Sequence, residues 1–398
     1  MKYSQFTKAH SLPRTLMLLT AIFVGLPACM DSQNAATKNN KTTATQANEQ
    51  SDTPVLKTMF SDKYKIGTAL SREQIIGKLT DVLPFVNQQF NAITPENSMK
   101  WERIHPQPGA YDFEAADALV EFAKANGHFI TGHTLVWHSQ VPDWVFEHKD
   151  GTPLNRDELL KRMEKHINTV AGRYAGKIDA WDVVNEAFNE DGSLRESKWH
   201  SIIGEDFIEQ AFSMAAKAAP NAKLYYNDYN LYKPEKRNGV IKLVKRLQQK
   251  GIKIDGVGMQ AHYSLTDPDL NDVEDSIKAY SDLNIKVLIT ELDVSVLPFP
   301  DKNNMGADVS LNLALQESFN PYPKGLPLKV QNELASRYQA LFKIFNKHHN
   351  VIDRVTFWGV SDSQTWRNDW PMVGRTDYPL LFDRKLTAKP FVSSLNKQ

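Results

Sequence analysis

From about Val55 to the C terminus, short apolar runs alternate with longer segments of helix length, and this alternation restricts the fold more than any other feature. The runs are Tyr64–Leu70, Phe90–Pro95, Phe129–Val136, Ile178–Val184, Lys223–Asn227, Gly256–Gln260, Lys286–Thr290 and Arg354–Trp358, rich in Val, Ile, Tyr and Phe. Runs of that length and composition read as buried strands. The segments between them include Ala115–Ala125, Asp157–Tyr174, Glu205–Ala218, Glu235–Lys250 and Val330–His348, which read as helices. Strands and helices in strict alternation pack as a parallel sheet covered by helices. Eight such units in one stretch predict a single (β/α)8 TIM barrel over residues 55–398 rather than two domains. An open doubly wound sheet is the competing architecture. Where such a sheet binds a dinucleotide it carries a Gly-rich turn after its first strand, and that place is held here by Ser71-Arg72-Glu73-Gln74.

In an α/β barrel the reactive groups stand at the C-terminal ends of the strands. Those ends carry Glu96 and Asn97 on the second run, His133, Trp137 and His138 on the third, and Asn185 and Glu186 on the fourth. Asn227, Asp228 and Tyr229 follow the fifth, Gln260 and His262 the sixth, Glu291 and Asp293 the seventh, and Trp358 the eighth. Any one of these is ordinarily a buried, satisfied polar residue. A whole rim of them marks a site. Glu186 and Glu291 each follow an apolar run, so both should face one pocket despite their distance in sequence. Hydrolysis of a glycoside needs such a pair, one acid for the leaving oxygen and one carboxylate for the anomeric carbon. Either Glu alone could serve in a structural ion pair. A metal role is disfavoured, because no HExxH, His-x-His or carboxylate cluster accompanies them. The formal net charge of zero gives no field to attract nucleic acid, and it suits a neutral polysaccharide or a small polar molecule. Most of the eight Trp should be core, although flat rings also cover sugar faces.

The N terminus reads as an export signal. Lys2, Lys8 and Arg14 precede the apolar run Leu16–Leu26, which is too short to span a bilayer. The run ends in Leu26-Pro27-Ala28-Cys29, which resembles a bacterial lipobox with Pro27 in an unusual place. Residues 1–28 are then a lipoprotein signal peptide, and Cys29 is the expected lipid attachment point. Cys29 is the only cysteine, which excludes an intrachain disulfide and a cysteine metal site. One lipidated terminus anchors a protein without threading it through the membrane. Residues 29–54 are rich in Asn, Thr, Gln, Ala and Ser, cannot bury enough apolar surface to order themselves, and read as a flexible tether. An exported protein, lipid-anchored to a bacterial membrane and most naturally the outer one, is expected. A monomer is expected as well.

From about Leu56 to Ser394 the sequence resembles the family 10 glycoside hydrolases, which are endo-β-1,4-xylanases. The resemblance rests on six blocks in order: Thr94-Pro95-Glu96-Asn97-Ser98-Met99-Lys100-Trp101, Gly132-His133-Thr134-Leu135-Val136-Trp137-His138-Ser139-Gln140, Asn185-Glu186, Gln260-Ala261-His262, Thr290-Glu291-Leu292-Asp293, and Trp358-Gly359-Val360-Ser361-Asp362 ahead of Trp366. It implies that Glu186, after the fourth strand, is the general acid and then the general base. It implies that Glu291, after the seventh, is the nucleophile. Retention of configuration follows, with the carboxyls about 5–5.5 Å apart. With Glu291 ionised a second negative charge nearby is disfavoured, which leaves Glu186 as the proton donor. The resemblance also implies that His262 bonds Glu291 while Asp293 orients His262. Asn185 and Gln260 would meet the 2-hydroxyl of the sugar at the cleavage point. Glu96, Asn97, Lys100, His133 and Gln140 would contact sugars on the non-reducing side, with Trp137, Trp358 and Trp366 as walls and Tyr229 on the leaving-group side. The implied partners are xylan and xylo-oligosaccharides. No cofactor is needed, since proton transfer and covalent catalysis use only the two carboxylates. An endoglucanase or mannanase on the same barrel would keep both acids. A non-catalytic glycan-binding lipoprotein would be expected to lack one of them. The long segment from Pro298 to Leu328 is expected to shape the cleft beside Glu291.

Overall fold

The computed structural model describes residues 54–299 and 313–397. The expected signal peptide, Cys29 and nearly all of the expected tether lie outside those residues, as does the middle of the 298–328 segment with Met305. Each of the eight apolar runs becomes a strand, and a further short one, β7, follows the sixth: β1 (Lys65–Leu70), β2 (Ala92–Pro95), β3 (Phe129–Trp137), β4 (Ala180–Asn185), β5 (Lys223–Asp228), β6 (Gly256–Met259), β7 (His262–Ser264), β8 (Lys286–Ser295) and β9 (Ile352–Phe357). All pairings among these strands are parallel. The ladder runs from β1 through β6, passes from β6 to β8 and β9, and returns from β9 to β1, so the sheet closes. This is the (β/α)8 barrel that the alternation predicts.

The sequence boundaries differ from the structure in informative places. The sixth run, expected as Gly256–Gln260, is followed by a second short strand that was not expected: pairing with β5 ends at Met259, and Ala261 adopts a left-handed φ of 64°. The chain then resumes as β7, paired with the far end of β8 through His262 and Asp293. The second strand starts at Ala92 instead of Phe90, because Phe90 caps helix Val82–Gln89. The fourth starts at Ala180 instead of Ile178. The third and seventh run longer, because their last residues still find partners on neighbouring strands.

Local chemistry sets the helices between the strands. Helix Arg156–Arg173 opens on a capping box, with Asn155 Oδ1 accepting from Glu158 N at 3.1 Å and Glu158 Oε2 accepting from Asn155 N at 2.9 Å. Its residues Leu159, Met163, Ile167 and Val170 recur at helical spacing and are buried against the barrel. Helix Glu114–Asn126 ends at Gly127, whose φ of 71° is a left-handed C-cap. Gly132 in β3 lies under the Trp181 ring of β4. A Cβ there would sit 2.3 Å from that ring, so the close approach of these two strands needs glycine.

Behind the second rim block, aromatic rings bury two histidines. Trp101 stacks on His166 at 3.5 Å, and His105 lies between His166, at 3.2 Å between Nδ1 atoms, and the Tyr111 ring at 3.8 Å. Burial, then the charge of Lys165 and Arg162, holds His105 down at about 4. Burial, then His105, holds His166 well below its ordinary value. Both histidines are therefore neutral in the fold and take up protons on unfolding. Their contribution is complete above the unfolded value of about 6.5 and is lost as pH falls from there toward 4. The melting temperature should drop by a few °C per pH unit across that window. The drop should be shallower in His166→Leu; an identical acid limb in scanning calorimetry would assign the loss to other groups.

Candidate active site

One cleft at the C-terminal ends of the strands is lined by Lys100, His133, Trp137, Asn185, Glu186, Gln260, His262, Glu291, Trp358 and Trp366. Ten of the residues singled out in the sequence are thus brought together. The strand ends explain their placement. β3 ends on Trp137 and β4 on Asn185, Glu186 turns out of β4 with φ 57°, and Trp358 follows β9 directly. The break at Ala261 leaves Gln260 and His262 facing the same cleft.

Glu291 is 4% exposed, and its two oxygens have different partners. Asn227 Nδ2 donates to Oε1 at 2.7 Å, and His262 Nε2 lies 3.1 Å from Oε2. Asp293 Oδ2 stands 3.1 Å from the other nitrogen, His262 Nδ1. Asp293 is itself fixed, since Arg367 Nε donates to Oδ1 and Trp366 Nε1 to Oδ2, each at 2.8 Å. Burial alone would raise the Glu291 value. The His262 hydrogen bond and the charges of His133, His262 and Lys100 outweigh it, and Glu291 is held below the usual glutamate range. Burial opposes the charge on His262, but Asp293 and then Glu291 push it up to about 9. The centre is therefore an imidazolium between two carboxylates, with Glu291 ionised.

Glu186 is also buried, and its partners are of another kind. Trp137 Nε1 donates to Oε2 at 2.9 Å, while Asn185 Nδ2 and Gln260 Nε2 donate to Oε1 at 3.0 and 2.8 Å. Asn185 Oδ1 accepts in turn from Asn227 Nδ2 at 2.9 Å, the same nitrogen that meets Glu291. Two amides thus link the two acids across the cleft.

The remaining expected contacts fall around this centre. His133 Nδ1 meets Asp182 Oδ2 at 2.9 Å, and its ring stands edge-on to Trp358. Lys100 Nζ donates to Asn97 Oδ1 at 2.9 Å and sits 4.8 Å from the Trp137 ring. Burial lowers the Lys100 value and raises that of neighbouring Glu96. Four of the expected sugar contacts do not line the cleft between the acids. Glu96 and Asn97 lie beside it next to Lys100, and Asn97 also faces an adjoining cavity with Arg72 and Glu73. The Gln140 carbonyl accepts from Glu102 N at 2.8 Å, and the Tyr229 hydroxyl accepts from Arg195 Nη2 at 2.7 Å.

Two residues of the centre were not singled out in the sequence, Asp182 and Arg367; Asn227 was marked only by its place on the rim, with no role assigned to it. Asp182 is a charge inside an apolar run, which would have marked it. Arg367 has no local signal, because its partner Asp293 is remote in sequence. The described ends of the 298–328 segment pack on residues 366–376. Arg375 Nη2 donates to the Pro298 carbonyl at 2.9 Å and Nε to the Phe319 carbonyl at 3.2 Å. The rings of Phe299, Trp370 and Trp366 follow one another at centroid distances of 5.2 and 4.6 Å, and the last of them lines the cleft.

Residues 55–398 match the family model described as glycosyl hydrolase family 10. The chain is 45% identical over 344 residues to endo-1,4-beta-xylanase A of Xylanibacter ruminicola, an alignment that spans 86% of this chain and 93% of that protein. It is 43% identical to a beta-1,4-xylanase of Dictyoglomus thermophilum, over 84% of this chain and 88% of that one. Among solved structures, an endoxylanase retrieved from a sugarcane soil metagenome superposes with a TM-score of 0.83 at 45% identity, covering 86% of this chain and 99% of that chain. A xylanase from Paenibacillus barcinonensis superposes with a TM-score of 0.77 at 37% identity, covering 87% of this chain and 98% of that chain. With the closed barrel and a model match over nearly the whole described chain, the protein belongs to glycosyl hydrolase family 10.

Proposed function

We propose that this protein is a retaining endo-β-1,4-xylanase in which Glu291 is the nucleophile and Glu186 the acid–base. The observation that carries the residue assignment is the difference between the two surroundings. Glu291 is kept anionic by an imidazolium, an amide and a buried lysine, as an attacking carboxylate requires. Among the described residues, the Glu186 carboxyl hydrogen-bonds neutral N–H donors alone, from Trp137, Asn185 and Gln260. In the first step an oxygen of Glu291 bonds to the anomeric carbon while Glu186 gives its proton to the departing glycosidic oxygen. In the second, Glu186 takes a proton from water, whose oxygen displaces Glu291 from the same carbon. Two inversions retain the configuration. One carboxyl thus serves both steps, as proton donor to the leaving oxygen and then as base toward water. Asn185 and Gln260 both donate to Glu186, and Asn185 reaches Glu291 through Asn227, a place where a contact to the 2-hydroxyl would strengthen as positive charge grows on the ring.

The xylan assignment draws on the relatives, each of which is a xylanase by description. Trp358 and Trp366 are consistent with it. Trp366 is tied to Asp293 and packed on Trp370, a wall that cannot swing aside for the exocyclic hydroxymethyl of glucose. On equal masses of purified xylan, β-glucan and mannan, xylan should be cleaved fastest by far. Proton NMR of the first products should show the β-anomer before mutarotation. Comparable rates on glucan, or α-anomer first, would remove this reading.

We also propose that Cys29 carries the lipid of an exported lipoprotein, on the strength of the Leu26-Pro27-Ala28-Cys29 motif after an apolar run of signal-peptide length. The tether would let a catalytic domain sample substrate near a membrane. Cys29→Ser should move the protein from the membrane fraction to the soluble fraction and abolish incorporation of labelled fatty acid.

A further inference from the structure

One peptide group, the bond between Glu186 and Ala187, is gripped on both of its polar atoms by side chains that do not line the cleft. Its carbonyl oxygen accepts from Arg195 Nε at 3.2 Å, and its N–H donates to the Tyr226 hydroxyl at 2.9 Å. Glu186 needs such a hold, because its φ of 57° is left-handed, where a side chain bearing a Cβ is strained. The two grips share an anchor. Tyr226 donates its own proton to Asp228 Oδ2 at 2.5 Å, which turns the hydroxyl lone pairs toward Ala187. Arg195 Nη2 donates to the Tyr229 hydroxyl at 2.7 Å. Lys236 Nζ serves both arms, lying 2.9 Å from Asp228 Oδ1 and 3.6 Å from the Tyr229 ring centre. Tyr226, Asp228 and Lys236 are each 0% exposed. An ion pair with no solvent contact is costly to bury and adds little stability by itself, which makes a positioning role the better account of it.

We infer that Tyr226 and Arg195 are positioning residues that set the Glu186 carboxyl for proton transfer, with Asp228 and Lys236 as the anchor that fixes both. This rests on the acid–base reading of Glu186. Freed on one side, the peptide would rotate toward ordinary backbone angles and carry the carboxyl off line. A displacement of about 1 Å at a reacting group costs on the order of 100-fold in rate. The loss must be selective. Proton donation matters for a sugar leaving group and hardly at all for dinitrophenolate, whereas general-base help to water matters for both.

The test compares the parent, Tyr226→Phe, Arg195→Met and Glu186→Ala on xylan and on 2,4-dinitrophenyl β-xylobioside, with and without azide. Melting curves check that each variant is folded; Arg195 is only partly buried, so its variant keeps the core if Tyr226→Phe does not. Both positioning variants should lose about 10–100-fold in kcat/KM on xylan and less than about threefold on the aryl substrate. Azide, which attacks the glycosyl-enzyme without a base, should restore their kcat on the aryl substrate. A merely structural role predicts equal losses on both substrates and no azide effect, and that result, or parental activity in both variants, would overturn the inference. If Glu186→Ala lacks the same leaving-group selectivity, the acid–base reading fails and the clamp falls with it. If Glu186→Ala shows the selectivity and the other two do not, the clamp alone is wrong.

Discussion

Glu291→Gln should lower turnover of xylan and of activated aryl xylosides alike, by about 10⁴-fold or more, equivalent to roughly 5 kcal/mol of barrier. The substitution keeps the shape of the side chain and still offers an oxygen to Asn227, but removes the charge that attacks the anomeric carbon. Leaving-group quality cannot compensate, because without the attacking carboxylate no glycosyl-enzyme forms from any substrate. Stability should move in the other direction or little. In the parent, His262 is an imidazolium between Glu291 and Asp293, and Asp293 with its Arg367 contact remains to balance it. The variant is therefore expected to fold and to bind xylo-oligosaccharides in calorimetry while failing to cleave them. More than a tenth of parental turnover on either substrate would mean that Glu291 is not the nucleophile.

Glu186→Ala should produce a different pattern. On xylan, kcat/KM is expected to fall by about 10²–10⁴-fold, the usual worth of general acid–base catalysis. On 2,4-dinitrophenyl β-xylobioside the first step needs no proton, so kcat/KM should stay near the parental value while kcat drops, because the glycosyl-enzyme now waits for unassisted water. Mass spectrometry should detect that intermediate as a covalent adduct on Glu291. Azide should then raise kcat and yield a β-glycosyl azide, since its attack requires no base. An α-azide, or equal losses on both substrates without an adduct, would contradict the assignment. The parental contacts explain why the cavity left by Ala should be tolerated: Trp137, Asn185 and Gln260 all donate N–H groups that water can satisfy in an open cleft.

The same chemistry bears on the amides linking the two acids. The Asn227 side chain touches Glu291 and also reaches Asn185 next to Glu186, and Thr290 orients it by donating to its Oδ1 at 2.6 Å. Each acid therefore sits in a hydrogen-bond frame that spans β4, β5 and β8. Movement of one of these strands would be felt at both.

The barrel, its eight strand–helix units and the two carboxylates that line its cleft were legible along the chain, and for a local reason. A buried parallel strand must be apolar along its length, so a polar residue at its end stands out, as Glu186 does after Val183-Val184-Asn185 and Glu291 after Leu288-Ile289-Thr290. Helix starts were readable in the same way, where a cap such as Asn155 with Glu158 lies within a few residues. Other features depend on groups that meet only after the sheet has closed. The second short strand after Ala261 follows from how His262 must pair with Asp293 on β8, which no run of residues around Gln260 reveals. Arg367 holding Asp293, Asp182 holding His133, and Tyr226 with Arg195 gripping the Glu186 peptide each join residues from separate units. Periodicity and strand ends report what one segment buries. The charge on Glu291 and the direction of Glu186 are set by neighbours that the closed barrel alone brings within hydrogen-bonding distance.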